Sequence, residues 1–186
     1  MEISLIQKPA SHKIQSKQLS IIFNPTGVAK SDVVLFDHKQ DKLRSGAEQK
    51  VFEGAGEYEV NDTMLQGVAV GGGGEGVSSV SYAVTGGGLR VVHLSDASVE
   101  LSDKQIEQLT PVDVLMIPVG DKSGRPEAIS KLISALEPRV IVPIGADDSA
   151  ITKLAAELGV KPEKTPKFKI TSRDLPEDSQ KLVVVE

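Results

Sequence analysis

The chain of 186 residues carries 26 acidic and 21 basic side chains, a formal net charge of −5, with 39% hydrophobic and 25% charged residues. That balance suits a globular fold, excludes a polar disordered chain, and argues against nucleic-acid binding, which draws its affinity from neutralised phosphates. With no cysteine, there is no disulfide framework, thiolate metal site or thiol nucleophile.

No apolar run approaches the roughly 20 residues that span a bilayer, so no membrane association is expected. The N-terminal MEISLIQKPA has no basic stretch leading into an apolar one, and the expected location is the cytoplasm. Aromatics make up only 3%, so Val, Ile and Leu must fill the core. The size and the lack of a linker predict one domain over residues 1–186. Lys161, Lys164, Lys167 and Lys169 gather near the C-terminus with only Phe168 among them, the pattern of a solvated surface.

The first half reads as β-rich. Short apolar or alternating runs bounded by Gly, Asn or Asp predict strands at residues 18–23, 32–36, 50–53, 57–60, 63–70, 77–84 and 89–94. Glycine-rich breaks at 71–76 and 86–88 fit hairpin loops. The first break contains G-x-G-x-x-G, but VSSVSYAV follows it as a strand, where a dinucleotide site needs a helix. There is no phosphate loop and no G-x-S-x-G nucleophile elbow.

From Ser102 the pattern alternates between helices and strands. Ser102 and Gln105 have capping-box spacing and open a short helix through Leu109. Glu100 and Lys104 are spaced i,i+4, an ion pair if both are helical. DVLMIP at 113–118 is a buried strand. Ala128, Ile129, Leu132, Ile133 and Leu136 lay an apolar stripe along a helix that Pro138 stops. RVIVPI at 139–144 is another strand, and Asp147 or Asp148 caps a helix that ends through Leu158 at Gly159. Strands at 167–170 and 182–185 close the chain. Helices must cover the outer faces of such sheets. Two stacked sheets with helices outside satisfy both halves, and an open three-layer α/β sandwich is the competing architecture.

VLFDHKQDKL, at 34–43, sends an apolar strand into a cluster of acid, imidazole and amine groups. Whether that cluster can hold a metal decides whether the chain is an enzyme. FEGAGEYEVNDTMLQGVAV, GLRVVHLSD, DVLMIPVG and LEPRVIVPIGAD, in this order, resemble the metallo-β-lactamase superfamily, and within it the L-ascorbate-6-phosphate lactonase-like branch. The resemblance runs from about Asp32 to the closing DLPEDSQKLVVVE and is weaker over residues 1–30. It implies an α/β (α+β) fold, a four-layer αββα sandwich with metals held by loops along one edge. In that family a strand leads into H-x-H-x-D-H, and later strands supply a histidine, a bridging aspartate and a last histidine. Neutral imidazoles and carboxylates of this kind hold zinc, whose bound water becomes acidic enough to serve as nucleophile near neutral pH.

Laid on this sequence, the resemblance places Asp37 at the first histidine position, Lys39 at the second, Asp41 at the aspartate and Lys42 at the last histidine. His38 falls on a spacer. The next histidine has only GVAVGGGG to come from. Asp96 matches the bridging aspartate, with Ser95 where a glycine is usual, and Gly145 stands at the final histidine position. A protonated lysine has three donors and no acceptor, so Lys39 and Lys42 cannot ligate a cation as they stand. Asp37, Asp41 and Asp96 are expected to pair with these lysines, replacing coordination by ion pairs. His93 is expected to be structural or hydrogen-bonding, and Glu57 and Tyr58 to serve packing and strand pairing.

The expected function is therefore a metal-free, catalytically inactive binding or scaffold protein without a cofactor. The alternative is a residual hydrolase of phosphoester or lactone substrates that uses zinc or another divalent metal, with Asp41, Asp96 and either His38 or His93 in a residual polar site. A homo-oligomer paired through edge strands is a further expectation that one sequence leaves open.

Overall fold

A computed structural model describes residues 2–7, 11–27, 30–39, 48–71, 79–120, 126–177 and 179–186, the first segment as backbone alone. In chain order its strands are β1 (Glu2–Gln7), β2 (Ser11–Gln15), β3 (Ser20–Phe23), β4 (Val33–Leu35), β5 (Lys50–Phe52), β6 (Gly56–Val60), β7 (Thr63–Val70), β8 (Ser79–Gly86) and β9 (Leu89–His93). Then come α1 (Asp103–Leu109), β10 (Val114–Pro118), α2 (Pro126–Leu136), β11 (Val140–Ile144), α3 (Asp148–Leu158), β12 (Pro162–Thr165), β13 (Phe168–Lys169) and β14 (Lys181–Val185).

The strands form two sheets. The first has the order β13-β1-β2-β3-β4-β5, the second β12-β14-β11-β10-β9-β8-β7-β6. Hairpins make β6 to β9 antiparallel; helical crossovers make β9, β10 and β11 parallel neighbours, and β14, reached through β13 of the other sheet, lies parallel between β11 and β12. VLM of β10 and VIV of β11 are apolar at every position because both faces of these parallel strands are buried.

Alternate residues divide the core. Phe23, Val33, Leu35, Tyr82, Val91, Met116 and Val142 face inward between the sheets. Val92, Leu115, Ile117 and Ile141 face outward against Leu109 of α1, Ile129 and Leu132 of α2 and Leu154 of α3. All three described helices thus cover the outer face of the second sheet. On the other face of the first sheet, Ile22, Val34 and Phe36 make a third, smaller buried cluster. Two stacked sheets with helices outside are the architecture expected from the sequence.

The predicted caps of α1 and α3 form. Ser102 accepts from the Gln105 backbone N–H while its own N–H donates to Gln105 Oε1 at 2.8 Å, closing the capping box. Asp147 caps α3 by accepting from Ala150 N–H at 2.7 Å, and Gly159 ends it in the left-handed region. Glu100, however, precedes the Ser102 cap and is not helical, so no i,i+4 pair with Lys104 forms.

The sheets are stitched at one edge. Tyr82, on the inner face of β8, places its hydroxyl 3.0 Å from the Phe36 carbonyl and 3.3 Å from that of Phe52. Burial pushes the Tyr82 phenol up, so it stays a proton donor to them. Val80 N–H donates to the Asp37 carbonyl at 2.8 Å beside it. This is the edge where β4, β9, β10 and β11 all end.

Candidate functional site

Among the described residues, the segments that reach this edge include 24–27 after β3, 36–39 after β4, 94–98 after β9 and 145–147 after β11. Parallel pairing of β9, β10 and β11 aligns their C-terminal ends, and the Tyr82 bridge brings β4 to the same end. Open α/β sheets place ligands at such strand ends.

Asp37 is held from two sides. Its Oδ2 accepts from Asn24 Nδ2 at 2.9 Å, its backbone N–H donates to Asn24 Oδ1 at 3.1 Å, and its Oδ1 lies 2.9 Å from His38 Nδ1. His38 and Lys39 are exposed, while Asp37 is half-buried. The described contacts of Asp37 are therefore an amide and an imidazole, where sequence reasoning had expected a lysine. Asn24 lies one parallel strand away and its short, rigid amide reaches the carboxylate first, whereas Lys39 extends into solvent. Asp41 and Lys42 lie outside the described residues, as do residues 72–78 of the glycine-rich loop.

Asp96 likewise meets no lysine among the described residues. Its Oδ1 accepts from Ser98 N–H at 2.8 Å and Ser98 Oγ at 2.6 Å, a local turn that its short side chain closes within two residues. Behind it, Ser95 joins the Ser79 and Ser81 hydroxyls at 2.8 and 3.2 Å. Gly145 is exposed with φ +67, and a Cβ built there would meet nothing within 4 Å.

His93 ends β9 on its inner face and stacks on Phe23, ring centroids 4.3 Å apart and 6° from parallel. His12, opposite Phe23 in the β2–β3 register, is buried too. Burial holds the His93 pKa well below the ordinary imidazole value, and repulsion from His12 pushes the same way against the attraction of Asp37. Its Nδ1 has no hydrogen-bond partner among the described residues. The ring is a neutral plate buried between the sheets.

Among the described residues, few metal-ligating side chains gather at this edge. Asp37 meets Asn24 and His38 through its two oxygens, Asp96 accepts from Ser98 through one, Lys39 in its protonated form offers only donors and Gly145 offers no side chain. Among the described residues no three His, Asp or Glu side chains converge. Sequence reasoning missed Asn24, though Asn-Pro at 24–25 is a turn signal. It also passed over His12, whose strand reads as polar.

The comparisons fit this architecture. Residues 8–145 match the description "Beta-lactamase superfamily domain". The chain belongs to that superfamily. A metallo-β-lactamase superfamily protein from Thermotoga maritima is similar in structure, with TM-score 0.82 and 20% identity over 99% of this chain and 98% of that one. A protein from Parabacteroides distasonis matches with TM-score 0.63 and 18% identity, covering 81% and 86% of the two chains. The metallo-β-lactamase fold protein YhfI from Bacillus subtilis matches with TM-score 0.65 and 10% identity, covering 100% and 95%. No curated protein sequence matches significantly. No described helix is long and apolar enough to cross a membrane.

Proposed function

We propose that this chain is a metal-free member of the superfamily that binds or scaffolds rather than hydrolyses. The observation carrying the reading is Asp37, whose carboxylate, at the family's first metal-binding position, is tied to Asn24 and His38. Those contacts hold the carboxylate in a local network of amide and imidazole, which satisfies it without a cation. Lys39 and Gly145 support the same reading, because neither presents a lone pair where the family uses imidazole. A fold does not carry its family's activity when the site is missing.

The second reading is a residual metal-dependent hydrolase of phosphoesters or lactones. It draws on the names of relatives: the Thermotoga maritima protein carries a provisional name as a Zn-dependent hydrolase, and the Parabacteroides distasonis protein one as a metal-dependent hydrolase. The segments that resemble the L-ascorbate-6-phosphate lactonase-like branch point the same way. In that reading Asp41 and Asp96 are the carboxylates, with His38 as base, since His93 lies between the sheets.

Elemental analysis of protein purified without chelator separates the two. Well under one zinc, iron or manganese per chain, with no chelator-sensitive turnover of a phosphodiester and lactone panel, is expected. Stoichiometric metal, or turnover abolished by Asp96→Ala, would overturn the metal-free reading.

A further inference from the structure

The helical face of the second sheet holds a cleft of about 680 Å³ between segment 97–101, α1 and α2. That volume falls within the roughly 300–1,000 Å³ of small-molecule sites. Leu101, Ile106 and Leu132 give it an apolar floor, two of them buried and Ile106 half-buried. Glu100, Asp103 and Glu127 stand exposed around it, with Lys131 the one basic lining side chain among the described residues. None of these carboxylates forms an ion pair with another described residue; those pairs are Asp37–His38, Lys164–Asp148 and Lys164–Glu186.

We propose that this cleft binds a small organic cation, an apolar aliphatic body with one ammonium group. The floor takes the apolar body. The rim, whose described side chains carry two negative charges in excess, takes the head, and its concave wall concentrates the field there. A protein partner fits less well, since Met64 is the one exposed large hydrophobic among the described residues and it does not line the cleft. Protein docking surfaces carry a larger apolar patch. The cleft uses none of Asp37, Lys39, Asp96 or Gly145, so the proposal goes beyond the metal-free reading and stands apart from it.

The test titrates the full chain, treated with chelator or not, with hexylammonium, hexanol and hexanoate, following backbone amides by NMR. Hexylammonium is expected to shift amides of 97–106 and 127–135, hexanol less, and hexanoate not at all. Glu100→Gln and Glu127→Gln are each expected to weaken hexylammonium by roughly three-fold, and Lys131→Gln to tighten it by a similar factor. Hexanoate binding as well as hexylammonium, shifts centred elsewhere, or indifference to all three substitutions would overturn the proposal. So would a basic amphipathic peptide that shifts these amides when hexylammonium does not. Metal found in the chain would leave these outcomes unchanged and bear only on the hydrolase question.

Discussion

Asn24 and Asp37 hold each other twice: the Asp37 N–H donates to Asn24 Oδ1 at 3.1 Å, and Asn24 Nδ2 donates back to Asp37 Oδ2 at 2.9 Å. Asn24 also sits in the left-handed region at φ +47, where its N–H reaches the Leu35 carbonyl. Asn24→Ala removes both side-chain bonds and puts a Cβ without local compensation in that conformation. We expect a loss of about 2–3 kcal/mol in urea unfolding. Asn24→Gly also loses the amide but keeps the backbone at ease, and is expected to lose less; equal losses would show that backbone strain contributes little.

Stability should fall on acidification because of His93. Its folded pKa lies below the unfolded value, so below about pH 6.5 the unfolded chain takes up a proton that the native ring refuses. The stability from this group is complete above that pH and is lost as pH falls, by at most about 1.4 kcal/mol per pH unit for one proton. His93→Phe keeps the plate against Phe23 and removes the titrating ring. Its denaturation midpoint is expected to vary less than the parent's between pH 7 and 5, and parallel curves would refute the assignment to His93.

Gly67 is required by space. A Cβ there would come 2.5 Å from the Gly54 carbonyl and 3.1 Å from the Tyr82 ring. Backbone on one side and a buried ring on the other leave no flexible end to give way. Gly67→Ala is expected to cost about 1–3 kcal/mol by calorimetry. Gly27→Ala, with nothing within 4 Å, serves as the comparison.

Arg90 ties α1 to the sheet. Its guanidinium donates to the Gln108 and Leu109 carbonyls at 2.7 and 3.1 Å, closing the helix C-terminus, and to Thr85 Oγ1 and Gln66 Oε1 at 2.9 and 2.8 Å. Lysine cannot reproduce that planar fork. Arg90→Lys is expected to destabilise by about 1–3 kcal/mol. Faster hydrogen exchange confined to α1 and the ends of β7 and β9 would locate the loss.

Much of this fold is written locally. Thr63–Val70 forms the predicted strand to the residue, and Ser102–Gln105 and Asp147 cap as their spacing says. Strand β2, SHKIQ, escaped because its inward positions are His12 and Ile14, and a buried histidine looks polar in any hydropathy pattern. Strand β12, PEKT, is an exposed edge with no apolar face to announce it. At the site, the positions of Asp37, Asp96 and Gly145 came from the resemblance. Their actual bonds did not, because Asn24 meets Asp37 across thirteen positions through a turn, a contact that tertiary packing alone creates.

Lys164 on β12 lies 2.8 Å from both Asp148 of α3 and Glu186 beyond β14. These exposed ion pairs add little to stability, yet they crowd the rim of the larger sheet with formal charge. A newcomer strand from a second molecule would have to strip water from all three groups before gaining its first main-chain bond. The sheet therefore ends here by repelling addition, and self-association of this chain is expected to proceed through some other surface.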